Sequence, residues 1–261
     1  MRLACLHITT QAIWEGLAQH AWSDAQLQTL QSRLQQYDLI ADLKRSLSAE
    51  RAAGILTVEL IRKKGLGYLV KLGGSGDSTP TDWWVAKMYG RFVPSGWYYQ
   101  EQYNYCRLAQ LQFDGAFDAS QRTVSPHQVR SNTSAVRQEL PEHLWSKLFL
   151  RHKSIAALMS SAVPDIPLKA AQAETVVDQA ALACALERYR LANGKFPESL
   201  DALAPRFISP LPHDVINGQP LRYRRTDDGH FILYSVGWNE KDDGGTQEGR
   251  LFDENRGDWV W

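Results

Sequence analysis

The chain has 261 residues, 29 of them basic and 29 acidic, so its net charge is zero, and 44% of its residues are hydrophobic. That length can bury a sizeable core and hold one or two domains, while the balanced charge offers no basic surface for nucleic acid or for an anionic membrane. Cys5, Cys106 and Cys184 are odd in number and far apart, so no disulfide framework or metal spacing follows, and each is expected to be a small buried hydrophobe.

No window reaches the roughly 18 apolar residues of a membrane span, so no transmembrane span is expected, and no signal peptide is evident. Met1 enters a helical pattern at once, with Leu3, Leu6, Ile13, Leu17 and Ala21 on one face. A helix that opens without cap or leader leads us to expect a natural start further upstream, with this chain a fragment of a longer one. Ser23 and Gln26 form a capping box for a second helix marked by Leu27, Leu30, Leu34 and Tyr37. Leu39 to Ser48 continues in helical period, and Ala49 to Lys64 forms another helix that Gly65 stops. Leu72 to Asp82 carries the Gly, Ser and Pro of a linker. It lacks the Gly-Lys-Ser/Thr ending of a phosphate loop.

Trp83 to Phe92 is aromatic and is expected to pack on helices. After Pro94-Ser95, Tyr99, Tyr103, Cys106, Phe113 and Phe117 fall on one helical face, which we expect to be buried. The alternative is that this aromatic-rich stretch, residues 83–117, forms a cleft that holds a ligand. Pro126, Pro141 and Pro164 punctuate the next stretch, with a helix expected from Glu142 to Ser160. Residues 1–165 are therefore expected to be almost wholly helical.

From Lys169 to Asn193 there is no Gly or Pro, and good helix formers dominate. Ala173, Val177, Ala180 and Cys184 share one face; Leu182, Leu186 and Tyr189 widen it. Gly194 suits the left-handed C-cap, and Pro197 prevents continuation. Glu198 to Leu203 fits a short second helix. Leu221 to Thr226 and His230 to Val236 read as strands joined at Asp227-Asp228-Gly229. Tyr223, Phe231, Leu233 and Ser235 alternate as a sheet with one buried face requires. The fold class expected is α+β: a mostly helical region over residues 1–165, then a long helix packed on a small antiparallel sheet over 166–261.

Residues 169–261 resemble the C-terminal domain of the major pseudopilin of type II secretion and, more broadly, the type IV pilin-like fold. Ala185 to Arg190 followed by Asn193-Gly194-Lys195-Phe196-Pro197 resembles the family's helix end, with Tyr189, Gly194 and Pro197 as its marks. Leu211 to Asp214 with Gly218-Gln219-Pro220-Leu221-Arg222-Tyr223 resembles the loop into the first strand, and Phe231 to Gly237, including Tyr234, the second. Asn239, Gly244 and Gly245 resemble the calcium loop that follows, and Asp258 its closing aspartate. The chain departs from the family where Asn239 replaces an aspartate and Val215-Ile216 a Pro-Trp pair. The resemblance implies a pseudopilin-like domain in a cell-envelope or periplasmic-face protein with a protein partner that the sequence does not identify.

Catalytic spacings are scarce. His7, His20, His127, His143, His152, His213 and His230 form no HExxH pair, and there is no GxSxG elbow or strand-linked GxGxxG. His213-Asp214 are adjacent, and adjacent residues seldom face each other. Glu15 and Glu187 read as solvated or salt-bridged helix acids. The acidic run after Gly237, broken by glycines, can curl around Ca²⁺, which takes about six to eight oxygens; a solvated acidic loop is the alternative. With the resemblance, Asn239, Asp242, Asp243, Asp253 and Asp258 are the expected ligands of a structural Ca²⁺. The expected function is a non-catalytic envelope- or secretion-associated protein; the alternative is a hydrolase or carbohydrate-binding protein using the 83–117 cleft.

Overall fold

In a computed structural model of the chain, residues 2–65, 94–140, 153–160, 165–247 and 252–261 are described. Helix α1 spans Arg2–Ala18, α2 Asp24–Leu34, α3 Leu39–Lys64, α4 Ser95–Phe113, α5 Pro126–Glu139, α6 Ser154–Ser160 and α7 Ile166–Asn193. A two-stranded sheet pairs β1 (Phe117–Asp118) with β2 (Thr123–Val124), and an antiparallel sheet has the order β3 (Arg222–Arg225), β4 (Phe231–Ser235), β5 (Trp259–Val260). The fold is α+β. Among the described residues no helix is long and apolar enough to cross a membrane. The Leu72–Asp82 linker and the aromatic run Trp83–Phe92 lie outside the described residues.

Contacts divide the chain into two units: Met1–Lys44, Gly115–Gln128 and Asp165–Trp261 form one, Arg45–Asp114 and Val129–Pro164 the other. The sequence places a boundary between 165 and 166. A unit does resume at Asp165, but it also takes in residues 1–44 and 115–128.

The first unit is built on α7. Every residue from Ala173 to Glu187 is buried, so the helix has no solvated face over four turns. Its many alanines let α1 and α2 pack on one side while the sheet packs on another. Leu182 and Leu186 are fully buried beside Ile13, Leu17, Leu27 and Leu34 of the first two helices and Leu233 of β4. The Ser23–Gln26 capping box forms as expected, whereas Ala21 and Tyr37, placed on apolar faces by the sequence, are exposed. Gly194 takes the left-handed conformation (φ 75°), and its N–H donates to Arg190 C=O at 2.7 Å. The expected second helix is a single 3-10 turn, Leu200–Leu203, because Pro205 follows at once.

In the hairpin Tyr223 pairs with Leu233 and Arg225 with Phe231. Edge strand β3 exposes Arg222, Arg224 and Arg225, charges that discourage pairing with another chain. Tyr234 and Ser235 of β4 are both buried, because β5 and the loop before it cover the face that a single hairpin would leave wet.

Between Leu39 and Ser160 the structure corrects several expectations. α3 runs unbroken through Ser48, since nothing between Leu39 and Lys64 stops a helix. On α4 the buried residues are Tyr98, Glu101, Asn104, Tyr105, Leu108 and Gln112, while Tyr99 and Tyr103 are 57% and 66% exposed, so the helix is turned away from the expected face. Phenols tolerate water, and Glu101 tolerates burial because its Oε2 accepts the Ile155 and Ala156 N–H groups of the first turn of α6. Phe117 lies in β1, beyond the helix. The helix expected from Glu142 is helical only from Ser154 among the described residues, Lys153 preceding it without helical conformation. α5, with Pro126 at its first position, fits the expected helical region, whereas the β1–β2 pair forms in a stretch read as helical.

Candidate functional site: the closing loop and the polar sites of the long helix

Asp214 is the knot between the loop and the sheet. It is buried; its Oδ1 accepts the Ile216 N–H at 2.9 Å and the Ser235 hydroxyl at 2.8 Å, and its Oδ2 accepts the Val236 N–H at 3.0 Å. The 214–218 turn closes through Gly218 N–H to Asp214 C=O at 2.8 Å, and Pro220 bridges to His213. His213 turns to the Gln121 carbonyl at 2.8 Å, so the adjacent His213 and Asp214 do not act as a base and orienter pair. Tyr223 donates its hydroxyl to Pro197 C=O at 2.7 Å, tying the hairpin to the helix stop, and Tyr189 packs on Phe207.

The acidic loop is organised by hydrogen bonds. Asp258 is buried, and its two oxygens accept the N–H groups of Asp243 (3.2 Å) and Gly245 (2.7 Å). Asp242 accepts the Tyr234 hydroxyl at 3.0 Å and the Gly244 N–H at 3.1 Å, and pairs with Arg222 at 3.3 Å. Asn239 donates its amide to Asp243 at 2.9 Å. Asp253 lies in a separate turn, accepting the Asn255 and Arg256 N–H groups. The close approaches require glycine. A Cβ on Gly237 would sit 2.9 Å from Gly257 C=O, and one on Gly245 2.9 Å from Ile232, with φ of 70° and 77°. Burial and the nearby Asp243 and Asp242 charges raise the Asp258 carboxyl above the usual carboxylate range, against the pull of its N–H donors.

Among the described residues no group of three or more acidic, His or Cys side chains converges as a metal site requires. Asp242, Asp243 and Asp258 are neighbours whose oxygens accept hydrogen bonds, and Asp253 stands apart from them.

α7 carries two polar sites: one around Glu187, which the sequence reads as a solvated or salt-bridged acid, and one around Glu174 and Asp178, which it does not single out. Glu174 and Asp178, one turn apart and buried, share one cation among the described residues: Arg122, from the β1–β2 turn, pairs closely with Glu174 and reaches Asp178 at 3.4 Å. Glu174 also accepts the Leu39 N–H at 2.7 Å. Burial, and next the Glu174 charge, push the Asp178 carboxyl up to about 7 despite Arg122. Further along, Glu187 accepts His20 Nδ1 at 2.9 Å and accepts Arg190 Nε and Nη2 on its two oxygens at 2.8 and 2.6 Å. Burial raises its carboxyl, but the hydrogen bonds from Arg190 and His20 outweigh that and leave it below the usual range. The signal available in the sequence was three acids interrupting an alanine-rich helix; their partners lie far off in the chain.

His20 and His213 therefore bond a carboxylate and a carbonyl, not a hydroxyl or thiol that could serve as nucleophile. The Cys184 thiol is buried and pushed up to about 12, which makes it inert at neutral pH. Comparison with protein-family models, with curated proteins and with solved structures finds no match for this chain.

Proposed function

We propose that residues 166–261 are a pseudopilin-like domain and that the chain is a non-catalytic, envelope- or secretion-associated protein. The observation that carries this reading is the order of parts: a long buried helix ending at Gly194, a β3–β4 hairpin lying on it, and an acidic loop returned to the sheet through Asp258 and β5. That is the order the sequence resemblance implies. The buried carboxylates that fix these parts, Asp214 and Asp258, accept backbone N–H groups of the sheet and the loop, as in a domain built for shape and contact. Fractionation of the native cell tests the proposal, with recovery of the chain in the envelope expected.

Calcium is the separable part of this proposal. Binding through Asn239, Asp242, Asp243, Asp253 and Asp258 requires carboxylates to exchange N–H donors for the ion, and a ligand bound only by the folded state raises stability by about 2.7 kcal/mol at a hundredfold excess over Kd. Thermal unfolding with Ca²⁺ and with a chelator is expected to separate by several degrees, with the separation lost in Asp242→Ala. Coincident midpoints remove calcium and leave a loop closed by Asp258 alone.

A second reading, a hydrolase or carbohydrate-binding protein built on the 83–117 stretch, is favoured by the exposed Tyr99 and Tyr103, four residues apart on α4. Retention on a polysaccharide column, abolished by Tyr99→Ala with Tyr103→Ala, selects it over the first.

A further inference from the structure

A cavity of about 240 Å³ lies between the end of α1, α7 and the hairpin, with Trp14, Leu17, His20, Glu187, Phe231 and Trp261 in its lining. Apart from His20, Glu187 and His230, its walls are aromatic or aliphatic. Trp14 is 49% exposed, an indole left at the surface that the helix does not need there.

The polar edge of the cavity is a built unit. Glu187 is buried at 2% exposure and its two oxygens accept Arg190 Nε and Nη2, so its charge is already matched. A carboxylate only accepts, so the 2.9 Å contact fixes the proton of His20 on Nδ1. The nitrogen left for a ligand is Nε2, which accepts in the neutral imidazole. His20 is held there in a left-handed turn (φ 52°), its own N–H bonded to Leu17 C=O at 3.0 Å. A carboxylate ligand would meet Glu187 unfavourably, and an amine would find Glu187 already paired.

We propose that this cavity binds a small neutral aromatic ring carrying a hydroxyl or N–H donor, a phenol in the simplest case, with the ring between Trp14, Phe231 and Trp261 and the donor on His20 Nε2. The arrangement combines a mostly apolar concave wall with one oriented polar group, as small-molecule sites do.

Calorimetric titration of the full chain with 4-methylphenol, toluene and 4-methylbenzoate tests it. The phenol is expected to bind with a Kd of about a millimolar and about tenfold more tightly than toluene, with 4-methylbenzoate weakest. Asn adopts positive φ readily, so His20→Asn keeps the turn and is expected to bring the phenol down to the toluene level. Ala18→Phe, on the cavity wall, is expected to remove binding of both. On the unsubstituted protein, imidazole ¹⁵N signals give a reading that depends on no variant: the phenol moves Nε2 of His20. Equal binding of phenol and toluene, undiminished phenol binding by a folded His20→Asn, no heat at about ten millimolar phenol, or an unmoved Nε2 signal each overturns the proposal.

Discussion

Asp178 shows how one side chain sets a pH dependence for the whole unit. Two carboxylates one turn apart face one guanidinium among the described residues, so the pair retains a proton that neither acid would hold in water. The Asp178 carboxyl titrates near 7 in the folded chain and at its ordinary 3.8 when unfolded. Between those values the folded state holds the extra proton, so this group's contribution to stability falls as pH rises from about 4 through 7, by up to about 1.4 kcal/mol per pH unit. Asp178→Asn removes the titration. Its stability relative to the parent is expected to improve between pH 5 and pH 8 in denaturant unfolding; a difference that stays constant over that range contradicts the assignment. The two acids were legible as polar interruptions four residues apart. Their cation was not, because Arg122 lies 52 residues before Glu174 and belongs to a turn that the sequence read as helix.

Elements were legible where a local rule decides them. The Ser23–Gln26 capping box, the Gly194 stop and the Asp227-Asp228-Gly229 turn each fix a boundary with residues that touch one another. The face of α4 was not legible, because aromatic periodicity favoured Tyr99 and Tyr103 while the hydrogen bonds that Glu101 accepts from Ile155 and Ala156 select the opposite side. Packing between α3 and α4 carries a sharper consequence. Tyr105 is buried over Gly54, where an added Cβ would lie 2.1 Å from the ring, and its hydroxyl donates to Glu50 C=O at 3.3 Å. Alanine is the better helix former by about 1 kcal/mol, but overpacking costs about 1–3 kcal/mol. Gly54→Ala is therefore expected to lower stability by about 1 kcal/mol in urea unfolding. Combined with Tyr105→Leu, which vacates the space, it is expected to cost less than the sum of the two single changes. A stabilised Gly54→Ala would mean that the ring does not occupy that face.

At the scale of the molecule, α7 explains why a linear boundary near residue 165 describes only part of the organisation. A helix buried all round must recruit cover from several places, and it draws α1, α2 and the β1–β2 pair from earlier in the chain as well as the sheet that follows it. Periodicity reveals that such a helix needs partners without saying which segments supply them. The proposed function rests on the order of parts in residues 166–261, which we propose serve an envelope protein. The most direct measurement is fractionation of the native cell, following the unmodified chain with an antibody beside cytoplasmic, periplasmic and membrane markers. The chain is expected to separate with the periplasmic or membrane markers. Recovery entirely with the cytoplasmic marker would contradict it.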